Sequence, residues 1–158
     1  LILTAWIIIL MVAYFRLQNS FKMFVGKIDD STVAVANIHY FINNDMNYFH
    51  ASSATYLGEE KKIYSYNIGY YVETPEGELI QFATRSSKFN DGGSLSKTVN
   101  ELSSWSFGES SYQRVTFSNE IVKNIDNLHF IISASTEKGS DKADVYYDIK
   151  VETTRISK

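Results

Sequence analysis

The first fifteen residues, Leu1–Phe15, contain no charged residue, no glycine and no proline. No other feature constrains the fold as strongly, because a helix without a polar face has no side to turn toward water. As a helix it would be about 22 Å long, whereas a bilayer span takes about 20 apolar residues. The run has no basic segment before it and no small-residue cleavage site after it, so it does not read as a conventional signal peptide.

Beyond Arg16 the apolar residues become one-sided. Phe21, Val25, Ile28, Val35, Ile38, Ile42, Met46 and Phe49 follow one another in steps of three, four or seven, with Thr32 filling the gap. That spacing is the helical period. Lys22, Asp29, Asp30, Asn37, Asn43 and Asn44 lie between them as a polar face, and Gly26 and Asp29–Thr32 are places for a bend. The pattern predicts one long helix to about His50, apolar all round at first and packed on a sheet afterwards through those eight residues.

From Ala51 the period changes to two. Tyr64, Tyr66, Ile68, Tyr70 and Val72 alternate with smaller polar residues, Thr74–Gly77 is a turn, and Glu78–Thr84 returns as the second arm of a hairpin. Arg85–Asn100 reads as a polar loop and Glu101–Ser111 as irregular. Tyr112–Phe117, Leu128–Ala134 and Val145–Val151 read as further strands, with a charged turn at Thr136–Lys142. Short links between strands imply an antiparallel sheet. The expected fold class is therefore α+β: a long N-terminal helix on an antiparallel sheet, divided into an apolar helix segment at 1–20 and a head at 21–158.

Charge and composition exclude several functions. Net charge is −3, yet Arg16, Lys22 and Lys27 are the only charged residues before position 29, so that stretch carries +3 and the remainder −6. An acidic head lacks the clustered lysine and arginine that bind a phosphate backbone, so no nucleic-acid contact is expected. Without cysteine there is no disulfide, thiolate metal site or thiol nucleophile. No zinc-protease, serine-elbow, phosphate-loop or dinucleotide motif occurs. On a helix His39 and His50 would share a face but stand about 16 Å apart, too far for one ion. His129 falls on the outward side of a strand. Asp141 and Asp144 near Gly139 match no calcium loop. The reading is a non-enzymatic chain with no cofactor, no metal and no catalytic residue. The tyrosines at 64, 66, 70 and 71, with Trp105 and Phe107, are read mainly as cross-strand packing, with a binding surface as the alternative.

Leu1-Ile2-Leu3-Thr4-Ala5-Trp6-Ile7-Ile8-Ile9, continuing to Ala13-Tyr14, resembles the segment after the N-terminal glutamate of type IV pilins, minor pilins and type II secretion pseudopilins. Asn43-Asn44-Asp45-Met46 is similar to the helix end in J-type pseudopilins and competence-type minor pilins. The likeness covers about 50 residues in pattern and about 15 in residue detail. In that alignment about five family residues, including the glutamate, would precede Leu1 and bring the apolar run close to the ~20 residues of a span. The run here contains no glutamate.

The resemblance implies a structural subunit, of the minor kind, in a pilus-like filament or pseudopilus. Leu1, Ile2, Leu3, Trp6, Ile7, Ile8, Ile9, Leu10, Val12 and Phe15 would form a helix held in membrane lipid before assembly and in the filament core afterwards. The implied partners are other pilin-like subunits, and the implied location is a single-pass membrane site and then an extracytoplasmic, cell-surface filament. Ser86–Lys97 and Thr136–Lys142 would face outward and set partner choice. The alternatives are a membrane-anchored adaptor that never polymerises and a soluble domain with a buried N-terminal helix.

Overall fold

Residues 22–42 are rich in valine, isoleucine, phenylalanine and tyrosine, whose branched or bulky side chains lose rotamer freedom in a helix and fit a pleated surface. They form strands. The computed structural model describes residues 2–20, 22–42, 47–52, 54–101, 105–107, 117–140 and 142–156, with the backbone alone at 2, 3, 15–20 and 105–107. The elements run α1 (Ile2–Ser20), β1 (Lys22–Asp29), β2 (Val33–Ile42), β3 (Asn47–Ala51), β4 (Ala54–Tyr56), β5 (Lys62–Glu73), β6 (Leu79–Ser94), α2 (Leu95–Glu101), β7 (Trp105–Phe107), α3 (Asn119–Asn124), β8 (Leu128–Ser135), β9 (Val145–Lys150) and β10 (Glu152–Arg155). The expected helix from Leu1 to His50 thus ends at Ser20, and the α+β class is corrected to a mostly β fold of two antiparallel sheets.

The first sheet has the order β10-β1-β2-β3-β7, with β4 also paired to β2; the second has the order β6-β5-β8-β9. A bulge explains why β1 and β2 carry a helix-like spacing. Gly26 pairs with Ile38 and Ile28 with Val35, so Ala36 and Asn37 together oppose Lys27. An extra residue on one strand reverses which parity faces inward. Val33 and Val35 are buried before the bulge, and Ile38, Tyr40 and Ile42 after it. The step of three from Val35 to Ile38 therefore imitates a helical step inside a strand. Of the eight residues expected on the helix stripe, Ile28, Val35, Ile38, Ile42 and Phe49 are buried in the core through strand alternation. Val25 is half-buried on the opposite side of β1 from Phe24 and Ile28, and Phe21 and Met46 lie outside the described residues.

The expected hairpin is β5 and β6, with the turn at Thr74–Gly77 closed by Gly77 N–H donating to Thr74 O at 2.9 Å. The second arm runs further than its alternation suggests: Arg85–Ser94 continues β6, and α2 follows directly. Leu128–Ser135 and Val145–Lys150 are strands as read, while Tyr112–Thr116 lies outside the described residues. Before β8 lies a short helix, α3, that the alternation does not suggest; Ser118 caps its start, accepting a hydrogen bond from Ile121 N–H.

One core lies between the sheets. Phe49 of β3, fully buried, meets Tyr70 of β5 edge-on at 5.0 Å and Phe82 of β6 at 4.9 Å. Tyr40 links the same ring to Phe24, stacked at 4.7 Å, and Tyr70 continues to Phe130 at 5.0 Å. At Val151 the chain leaves β9 of one sheet and enters β10 of the other, with the Val151 N–H held by Leu128 O at 2.8 Å. Gly26 lies under this corner, where a Cβ would come to 3.0 Å from the Val151 side chain.

Phe49→Ala is expected to destabilise the fold by about 3–5 kcal/mol, the range for truncating a buried phenylalanine, measured by urea unfolding. Alkaline pH should act through Tyr40 and Tyr70. Burial pushes both hydroxyls well above the ordinary range, with a hydrogen bond from Thr153 opposing it in part at Tyr40. A folded-state value above the unfolded one gives stability that is intact below pH ~10 and lost as the pH rises further. The urea midpoint should fall above that pH, and the part of the tyrosinate absorbance that comes from the buried rings should develop in step with unfolding.

Candidate functional site

Three places on the molecule carry the side chains that chemistry or recognition would use: α1, the outer face of the second sheet and the outer face of the first. On α1, Trp6, Ile7, Ile8, Ile9, Leu10, Met11 and Val12 are each between 50% and 63% exposed. Seven consecutive residues cover nearly two turns, so every side of the helix is represented. Neither sheet packs extensively on it among the described residues. Among those residues no helix is long and apolar enough to cross a membrane. This overturns the expected single-pass N-terminal anchor and the membrane-to-surface location that depended on it. The helix carries the polar residues Arg16, Gln18 and Asn19 in its last turns, which a bilayer interior accommodates only at a cost. Leu1 lies outside the described residues, and Ile2, Leu3 and Phe15 are placed by backbone alone.

On the outer face of the second sheet, His129 of β8 is flanked by carboxylates. Its Nδ1 lies 2.7 Å from Asp148 Oδ1 of β9, and its Nε2 lies 3.2 Å from Glu73 Oε2 of β5. The second approach is close enough for an ion pair but is not aligned as a hydrogen bond. The ring is 12% exposed, so the outward-facing histidine read from the sequence is largely covered. With each nitrogen against a carboxylate, it offers none to a substrate. The arrangement is a clasp across three strands rather than a base with an open face. Beside it the Asn67 side-chain amide donates to the Tyr71 hydroxyl at 3.0 Å. The tyrosines divide as packing residues do: Tyr70 is buried, Tyr66 packs on the core, and Lys62 lies over the Tyr64 ring at 5.4 Å. The side chains of Trp105 and Phe107 lie outside the described residues. A shallow groove of about 220 Å³ runs past Ser65, Asn67, Ser86 and Ser133. It is smaller than the ~300–1,000 Å³ of ordinary small-molecule sites.

The loop read as a charged turn is closed by Asp144. Its carboxylate accepts the Thr136 hydroxyl and, at 2.7 Å, the Thr136 N–H. These bonds, the hydroxyl first, hold the Asp144 carboxyl below its ordinary range. Asp30 plays a similar part between β1 and β2, accepting from Thr32 N–H at 2.8 Å. Both acids are turn-formers, and no group of three or more metal-ligating side chains occurs among the described residues.

On the outer face of the first sheet the structure brings together two residues that a helix would have kept apart. His39 of β2 and His50 of β3 are directly opposed across the ladder. Phe41 and Tyr48, two register positions further along on the same face, stack at 5.2 Å.

Compared with protein-family models, curated proteins and solved structures, the chain matches none. The pilin resemblance therefore gains no family match, and the long helix on which its pattern rested is replaced by strands.

His129→Ala is expected to leave Glu73 and Asp148 facing each other without the intervening ring. A loss of about 1–3 kcal/mol in urea unfolding should follow, as for an abandoned hydrogen-bonding group.

Proposed function

We propose that this chain is a non-catalytic assembly subunit whose apolar N-terminal helix packs among the same helices of further copies, displaying the β head around them. The observation that carries this reading is the all-round exposure of Trp6–Val12. A soluble monomer rarely leaves so large a contiguous apolar surface in water, and such surfaces mark interaction sites. Among the described residues the core of the head includes none from α1, and Trp6–Val12 stay at least half exposed beside it. A partner helix of the same composition covers it without introducing any unpaired polar group. Seven bulky side chains buried together would each contribute about 1.5–3 kcal/mol, ample to offset the cost of association.

Light scattering coupled to size exclusion in aqueous buffer tests this. The full chain should run as an oligomer, and a chain beginning at Arg16 should run as a folded monomer with the same urea midpoint. A monomeric full chain would sink the proposal, as would a full chain that leaves the aqueous phase only by entering phospholipid vesicles as a monomer.

A further inference from the structure

We propose that His39 and His50 together form a binding site for a divalent transition-metal ion of the zinc, copper or nickel class. Past the bulge in β2, Ile38, Tyr40 and Ile42 point into the core, so His39 stands on the outer face. On β3, Phe49 and Ala51 are buried and His50 stands outward. The ladder register sets His39 directly against His50. Opposed residues of an antiparallel pair have their Cβ atoms about 4.5–5.5 Å apart. Two imidazole nitrogens on one ion, each at about 2.0–2.1 Å, lie about 3 Å from one another. Two rings rising side by side from adjacent strands reach that separation through side-chain rotation alone. The sheet has already fixed their backbones, so little ordering entropy remains to oppose binding.

The partners of the three histidines separate this pair from His129. His129 is engaged with two carboxylates. Among the described residues neither the His39 nor the His50 side chain takes part in a hydrogen bond or ion pair, so a metal displaces nothing. Val25 pairs with His39 on the side away from His50, Ser106 pairs with His50 on its far side, and Phe41 and Tyr48 stack alongside, so the rings have apolar neighbours on two sides. Among the described residues no carboxylate stands beside them in the register. Imidazole without oxygen donors favours zinc, copper and nickel over magnesium and calcium. Water completes the coordination.

The test is isothermal titration of the full chain with zinc chloride and, separately, magnesium chloride at pH 7.5. One zinc per chain is expected, with no magnesium binding. His39→Gln and His50→Gln should each weaken zinc binding at least tenfold. The double variant should be no weaker than either single, because losing one ring already ends chelation. His129→Gln should bind as the parent does. Lowering the pH to 5.5 should weaken binding, since protons compete for the ring nitrogens. Zinc binding unchanged in both single variants would overturn the site, as would its loss in His129→Gln alone, or one ion per two chains. Circular dichroism of each variant confirms that the strands are retained.

Discussion

The fold depends on one aromatic ring. Phe49 lies in the first sheet and touches Tyr70 and Phe82 of the second, and through Tyr40 and Tyr70 it is connected to Phe24 and Phe130. A branch from Phe82 reaches Phe117 at 4.8 Å. Sheets packed face to face need large side chains that interdigitate, and edge-to-face rings fill such a gap without leaving voids. Seven phenylalanine and tyrosine rings are thereby connected into a layer between the sheets. The Tyr40 hydroxyl reaches Ile125 O at 3.3 Å, so a buried polar atom finds a partner where the chain passes under the core.

A second constraint is the bulge at Ala36–Asn37. It lets β2 serve two partners, with Val33–Val35 against β4 and Ile38–Ile42 against β3. The same change of parity turns Tyr40 toward Phe49 and turns His39 outward beside His50. Core and surface are thus coupled: without the bulge, regular alternation from Val35 would turn Tyr40 out of the aromatic layer and His39 inward in its place.

The head and α1 follow different physical rules. The head satisfies its apolar residues internally, through one core and a strand that crosses from sheet to sheet at Val151. On the helix, Trp6–Val12 remain at least half exposed. Under the proposed function that division separates stability from association: changes in the core would act on folding, and changes at Trp6–Val12 would act on association.

Much was legible in the sequence where local chemistry decides the structure. The apolar run and its helix, the β5–β6 hairpin, β8, β9 and the turn residues were all readable, because alternation and turn chemistry operate between neighbours. Residues 21–50 were not readable: a bulge inside β2 and a change of face between β1 and β2 together reproduce steps of three and four. The burial of Ile28, Val35, Ile38, Ile42 and Phe49 was anticipated, but for the wrong element. The histidine pair was also out of reach, because residues 11 apart on a helix are distant, while the same residues across a ladder are neighbours. By itself, then, the sequence determined which segments avoid water and where the chain turns. Only the tertiary structure decided which strands pair, which parity faces inward and which side chains meet, because register is set by contacts between residues far apart in the chain.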